Sequence, residues 1–326
     1  MINWGIVGLG NMANNFAKSI DDVENAKIVS LASRSNNKLD IFSKNYGINT
    51  QNKFLKYEDL LQSKEIEAVY ISTLNNTHVN LIVNSAKNKK KILCEKPIGL
   101  DLDEANLAYE SIKRYGASFY EAIAYRSPPQ TLNVLQLVNS GEIGDIYKIE
   151  SSFGFNVKRI KKDSRLFSKK LGGGAILDIG CYPISFFNLF CKKEEKLKFI
   201  KSQGSFTSTG VDDRAEINIS IGNNIEGIGK VSLKENLKNS CKIYGKEGII
   251  NIPSPWLPLE KSYVEIIKGN SYFKKFTTTS KKIYSIQIEN ISNAFLNKNS
   301  HINQLVDINE SLEIMKVLDK WKKNLI

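Results

Sequence analysis

Apolar positions follow two different rhythms along this chain. Up to Glu95, short apolar runs alternate with stretches of helical spacing. Residues 2 to 7 (INWGIV) read as a strand, 14-NNFAKSIDDV as a helix and 26-AKIVSLAS as a second strand. A helix near 36 to 46, a turn and helix at YEDLLQS, a strand at 67-EAVYIST, a helix from about 77 to 88 and a strand at 92-ILCE continue the alternation. Strands separated by helices predict a doubly wound parallel sheet, because parallel neighbours need helical crossovers that cover both faces. After about residue 120 the period shortens to two, in 146-IYKIESSFGF, 215-AEINISI, 225-IEGIGKVSL, 241-CKIYG and 263-YVEIIK. That alternation predicts a large, open, mostly antiparallel sheet in an α+β domain. Helical spacing returns at 285-SIQIENISNAFL and 305-LVDINESLEIMKVLDKW. The expected organisation is a Rossmann domain over residues 1–120 and a substrate-binding domain over 121–326, with the C-terminal helix able to pack back on the first domain.

Composition narrows the function without changing this picture. No run reaches the roughly 18 apolar residues of a membrane helix, and MINWGIVGLG enters a strand directly instead of passing through a leader, so a cytoplasmic protein with no membrane partner is expected. The four cysteines form no CxxC pair and the two histidines are His78 and His301, which argues against a metal centre or a disulfide framework. A net charge of +12 raises nucleic acid as a partner. Yet only six of the 46 basic residues are arginine, the lysines are spread along the chain, Lys89-Lys90-Lys91 stands at an expected helix end, and 158-VKRIKKDSR lies outside the recognised DNA-binding contexts. A small-molecule partner is expected, not nucleic acid.

Chemistry enters at the first strand-to-helix turn. Gly8-Leu9-Gly10-Asn11-Met12-Ala13 is GxGxxA: Gly8 permits the tight turn, Gly10 lets a pyrophosphate approach the backbone, and Ala13 keeps helix and sheet close. Asn11 and Met12 open the helix whose N-terminus favours the anion. At the end of the second strand, where an NAD-binding chain usually carries Asp or Glu for the ribose 2′-hydroxyl, this one reads Ala32-Ser33-Arg34-Ser35, with Lys38 a turn later. A 2′-phosphate would meet a guanidinium and no carboxylate, so NADP(H) is the expected cofactor. In 92-ILCEKPIGL a strand delivers Glu95, Lys96 and Pro97 to its C-terminal edge, where open α/β sheets bind ligands. Proline there restricts the backbone and admits a cis peptide bond. In 172-GGGAILDIGCYPI, Asp178 and Tyr182 interrupt an apolar run. If DIGCY is helical they share a face at i and i+4, while Ile176, Leu177 and Ile179 turn to the core.

With GLGNMA, the 73-TLNNTH loop, EKPIGL, 121-EAIAYR, GGGAILDIGCYPI and the closing 313-EIMKVLDKW, the chain resembles the Gfo/Idh/MocA oxidoreductases over essentially its whole length. SFGF, RLF and GGGxxLDIGxYP, in this order, look like the branch containing dimeric dihydrodiol dehydrogenases, NADP-dependent aldose dehydrogenases and glucose-fructose oxidoreductase. One departure is 125-YRSPPQ, where Ser127 and Pro128 replace the bulkier pair of relatives that read YRFHPQ.

The resemblance implies hydride transfer between NADP(H) and a hydroxyl or carbonyl carbon of an aldose or trans-dihydrodiol. Tyr182 would be the acid/base, Lys96 the cation that favours its phenolate and bonds the reacting oxygen, and Asp178 a group that orients Lys96 or a substrate hydroxyl. Thr73, Leu74, Asn75 and His78 would line the nicotinamide side, and Arg126, Arg165 and Trp256 would contact substrate. A nucleotide-linked ketosugar substrate, and a regulator that binds NADP(H) and sugar without turnover, are the alternatives. An open sheet also needs its exposed face covered, which implies a homodimer through the C-terminal sheet.

Overall fold

The computed structural model describes residues 1–48, 50–192, 194–298 and 304–326, so His301 lies outside the described residues. The chain forms two compact units, one of residues 1–127 with 281–312, the other of residues 128–280 with 313–326.

The first unit contains β1 (Ile2–Val7), α1 (Asn11–Ile20), β2 (Ala26–Ala32), α2 (Asn36–Tyr46), β3 (Lys53–Phe54), α3 (Tyr57–Gln62), β4 (Ala68–Ile71), α4 (His78–Lys87), β5 (Lys91–Cys94), α5 (Leu102–Tyr115) and β6 (Phe119–Glu121). Its sheet runs β15-β6-β5-β4-β1-β2-β3, where β15 is Val306–Asp307. All pairs are parallel except β15 with β6. This is the doubly wound order, in which the chain leaves β1 first to one side and then, at β4, to the other. All four residues of β4, Ala68 to Ile71, are buried, as a central strand covered on both faces requires. The helices carry ordinary end signals. Asp101 caps α5 by accepting from the Glu104 amide at 3.0 Å, Lys113 and Arg114 occupy its last turn, and Gly116 closes it at φ +61°.

Residues beyond the expected boundary at 120 belong to this unit, and so does α9 (Ile283–Phe295). The reason is packing on β1 and α1. Trp4 meets Phe16 at 5.4 Å and Phe295 at 5.7 Å between ring centroids, and its indole N–H donates to Ser292 Oγ at 3.2 Å. Ile288, Ile291 and Phe295 join Ile2, Trp4, Phe16 and Leu31 in one apolar cluster. Without α9 this side of the sheet would face water.

The second unit holds α6 (Pro129–Asn139), β7 (Ile146–Gly154), α7 (Ala175–Ile179), α8 (Cys181–Asn188), β8 (Leu197–Phe206), β9 (Asp212–Ile221), β10 (Ile225–Ser232), β11 (Ser240–Gly245), β12 (Ile249–Ile252), β13 (Lys261–Lys268) and β14 (Ser271–Thr278). They make an eight-stranded sheet ordered β14-β13-β12-β11-β7-β10-β9-β8. Only β7 and β10 pair in parallel; the rest is antiparallel. Strict alternation shows in β9, where Ala215, Ile217, Ile219 and Ile221 are buried and Glu216, Asn218 and Ser220 are not. The last helix, α10 (Ile308–Lys323), begins in the first unit and ends in the second. Among the described residues no helix is long and apolar enough to cross a membrane.

Candidate active site

The carboxyl ends of β1, β2, β4 and β5 present the GxGxxA turn, the Ser33–Arg34 turn, the Thr73 loop and Glu95–Lys96 along one edge of the parallel sheet. Gly8 is required by the protein itself. It sits at φ +89°, its N–H donates to the Ala32 carbonyl at 3.0 Å, and a Cβ there would lie 2.6 Å from Thr73 Cγ2. Gly10 is different, because among the described residues no atom beyond its chain neighbours lies within 4 Å of where its Cβ would be. It caps the N-terminus of α1 without a side chain, with exposed Asn11 and half-buried Met12 following. Internal packing does not demand glycine at position 10, whereas a pyrophosphate resting against this helix end does. The residues present therefore fit a dinucleotide.

Beside it, Ser33 is 5% exposed and its hydroxyl accepts the Ser35 amide at 3.3 Å. It shapes the turn; Arg34 beside it is exposed with its guanidinium 5.2 Å from the Tyr57 ring centroid, and Lys38 is exposed as well. Ser35 caps α2 by accepting from the Lys38 amide.

His78 corrects the expectation of a nicotinamide contact, since it is fully buried. Its Nδ1 lies 2.8 Å from the Pro97 carbonyl and its Nε2 3.3 Å from that of Thr73. Burial holds its pKa below the usual value against the pull of the two carbonyls. His78 thus fastens the EKP turn to the Thr73 loop. Leu74 is 43% exposed and Asn75 half-buried, both open to a ligand, while the Thr73 hydroxyl accepts from Thr77 at 2.7 Å.

Glu95 is 7% exposed and accepts a short hydrogen bond from the phenol of Tyr70. Burial first, then that carboxylate, raises Tyr70 well above the ordinary tyrosine value, so the phenol stays a donor. Glu95 is therefore turned into the unit. Lys96 is half-buried, and the Lys96–Pro97 bond is cis. Arg126, expected at the substrate, is instead 2% exposed and forks onto Glu310, with Nη1–Oε1 at 2.7 Å and Nη2–Oε2 at 3.2 Å. A guanidinium so committed ties the end of the first long segment to the start of α10.

In the second unit the GGGAILDIGCYPI segment makes two helices, α7 and α8, meeting at Gly180. Gly180 keeps helical angles, φ −68° and ψ −24°, so Asp178 and Tyr182 still belong to one nearly continuous run. As expected, Ile176, Leu177 and Ile179 are buried at 0 to 2% exposure. The N-terminus of α7 is capped from another strand: Asp212, the first residue of β9, accepts the Ile176 amide at 2.7 Å. Gly174, at φ +114°, leaves room for that carboxylate, which a Cβ would strike. Asp178 is also buried, and its Oδ1 is 2.7 Å from Arg165 Nη1. Arg165 is 53% exposed in its side chain, so the pair presents a cation outward on an acid held within. Tyr182 is half-buried on α8 among aromatic rings, 5.0 Å from Phe153 and 5.7 Å from Trp256. Trp256 is 2% exposed, and its indole N–H donates to the Ser152 carbonyl at 3.0 Å. That places it as the seat of Tyr182 and corrects its expected role as a substrate contact.

Glu121, Tyr70, Asp212 and Phe153 were not singled out by the sequence. The stretches 121-EAIAYR and SFGF, which carry the family resemblance, are the signals that reached Glu121 and Phe153.

Asp212 gives a pH signature. Burial pushes its carboxyl up to about 6, against the Ile176 and Ala175 amides that favour the ionised form. A carboxyl with a raised folded-state pKa binds its proton more tightly folded than unfolded, so its contribution to stability grows as pH falls from about 6 towards about 4. Asp212→Asn is expected to lose that part of the pH dependence of the melting temperature between those values. Identical slopes for parent and variant would count against the buried cap.

A model described as the oxidoreductase family with an NAD-binding Rossmann fold matches residues 2–122, and one described as the GFO/IDH/MocA C-terminal domain matches residues 131–251. The chain belongs to the Gfo/Idh/MocA family of NAD(P)-binding oxidoreductases. Among curated proteins, the trans-1,2-dihydrobenzene-1,2-diol dehydrogenase of Mus musculus is 26% identical over 333 residues, covering 99% of this chain and 96% of its own length. That of Xenopus tropicalis is 27% identical over 258 residues, covering 78% and 76%. Among solved structures, aldose-aldose oxidoreductase from Caulobacter crescentus superposes with a TM-score of 0.89 at 18% identity, covering 99% of this chain and 97% of its own. A 3-ketoreductase from Actinomadura kijaniata, in complex with NADP and TDP-benzene, gives 0.88 at 19%, covering 99% and 98%. At these identities the structures establish the shared fold.

Proposed function

We propose that this protein is an NADP(H)-dependent oxidoreductase acting on a CH–OH or carbonyl carbon of a sugar or cyclic diol. The observation that carries the reading is a lysine, Lys96, delivered to the same edge of the parallel sheet as the GxGxxA turn. The names of the dihydrodiol dehydrogenases and of the aldose-aldose oxidoreductase support the substrate class.

Gly10 and the N-terminus of α1 would hold the pyrophosphate, and Arg34 with Lys38 the 2′-phosphate. When bound, the nicotinamide exchanges a hydride with the substrate carbon. Tyr182 would take the hydroxyl proton in oxidation and return it in reduction, and Lys96 would hydrogen-bond the reacting oxygen. Asp178, already paired with Arg165, would orient a substrate hydroxyl. The Phe153 and Trp256 rings exclude water from that proton's path.

Arg34→Ala tests the cofactor assignment. Losing a bidentate charged contact of about 1.5–3 kcal/mol raises the Kd for NADPH about 10- to 100-fold. The Kd for NADH should stay within about twofold, read by fluorescence titration of the same samples. Equal weakening of both nucleotides would show that Arg34 does not read the 2′-phosphate. Absorbance of the reduced nicotinamide against sugars, dihydrodiols and nucleotide-linked ketosugars tests the reaction itself; tight NADPH binding with no turnover on any of them would leave a binding protein.

A further inference from the structure

Glu121 has no task in the chemistry above, yet its position is costly. It ends β6, in register with Cys94 of β5 on one side and Val306 of β15 on the other, and the next amide, Ala122 N–H, donates to the Cys94 carbonyl at 2.7 Å. Its carboxyl is 3% exposed, and Oε2 has no hydrogen-bond partner. A buried carboxyl with an orphaned oxygen is destabilising unless something else is gained, and an apolar side chain would fill the place more cheaply.

What the carboxyl touches is the turn that carries Lys96. The Ile98 amide, two residues past the lysine, and the Lys96 ammonium both lie near enough to favour its ionised form. The other ionisable groups facing it are Glu310 at the start of α10 and the buried Cys94 thiol of β5, with the Ser311 hydroxyl also close. Neither Glu310 nor Cys94 can neutralise it, and Glu310 is engaged by Arg126. Lys96 is therefore the one cation in this set.

We propose that Glu121 is a positioning residue for Lys96: its carboxylate fixes the Lys96–Ile98 turn through the Ile98 amide and supplies a counter-charge behind the ammonium. The proposal rests on the role given to Lys96 above. Burial and Glu310 push the Glu121 carboxyl up to about 7, although Ser311, Ile98 and Lys96 favour its ionised form. Above that pH the carboxylate is present and Lys96 holds its proton more tightly; below it the carboxyl is neutral and this support is withdrawn. Glu121 would thus couple the protonation of Lys96 to pH in the neutral range.

The test reads Lys96 directly. Full-length protein and Glu121→Gln are pulsed with acetic anhydride between pH 6 and pH 9, and acetylation of the Lys96 peptide is quantified against exposed Lys201 by mass spectrometry. At pH 8 the variant should acetylate Lys96 about tenfold faster than the parent, the equivalent of about one pKa unit, and the difference should vanish at pH 6 where Glu121 is neutral in both. Equal rates at pH 8 would overturn the proposal, as would acceleration of the same size at every pH, which a merely loosened turn produces. Should the variant not fold, the parent alone decides: its Lys96 rate should depart from the slope of Lys201 around pH 7, and parallel lines would refute the coupling. Turnover of Lys96→Ala is measured alongside. Unchanged turnover there removes the catalytic role of Lys96 and leaves the labelling result to judge Glu121 separately.

Discussion

Replacing Tyr182 with Phe lowers turnover by about 10²- to 10⁴-fold while the Kd for NADPH changes by no more than about twofold. The magnitude is that of one general acid or base, and the asymmetry follows from where the hydroxyl stands. Removing a single oxygen leaves the ring among Phe153 and Trp256, so α8 keeps its packing. The GxGxxA turn, Arg34 and the Thr73 loop belong to a different unit of the chain and are untouched. Single-turnover kinetics and a fluorescence titration on one preparation separate the two effects. Parallel loss of turnover and cofactor affinity would remove Tyr182 from the chemistry and make it a structural residue.

The second large effect concerns stability. Trp256→Ala is expected to cost about 3–5 kcal/mol, the usual range for deleting a fully buried indole. That corresponds to a fall of about 4–7 °C in the melting temperature. Besides losing its contacts with Phe153, Tyr182 and Phe186, the variant leaves the Ser152 carbonyl without the indole donor. Trp256→Phe restores part of the packing and should recover part of the loss. A substrate contact would behave otherwise, with a higher KM and an unchanged melting curve, so differential scanning calorimetry distinguishes the two.

Much of this could be read from the chain before its structure. Period-three-to-four and period-two patterning separated a parallel from an antiparallel sheet because each face of each element is either wet or dry, and β4 and β9 show both cases. The glycine turn was legible because a strand, a GxGxxA and a helix stand in immediate succession, a local arrangement. What escaped was nonlocal. Arg126 looks like an available cation until Glu310, far along the chain, is brought against it, and Trp256 looks like a binding aromatic until Ser152 and Tyr182 surround it. The cap that Asp212 places on α7 crosses 36 residues of sequence, so no capping pattern precedes that helix. His78 looks like a polar loop residue, but its full burial against the Pro97 and Thr73 carbonyls could not be seen from its neighbours in sequence.

The return of α9 to the first unit bears on how the polypeptide emerges during synthesis. The Rossmann sheet is made first, yet Trp4, Phe16 and Leu31 meet Ile288, Ile291 and Phe295 only after the whole 128–280 segment has been translated. Until then the nascent chain carries an incompletely covered apolar face that a holdase chaperone could shield, and the early domain matures only when the later one has left the ribosome.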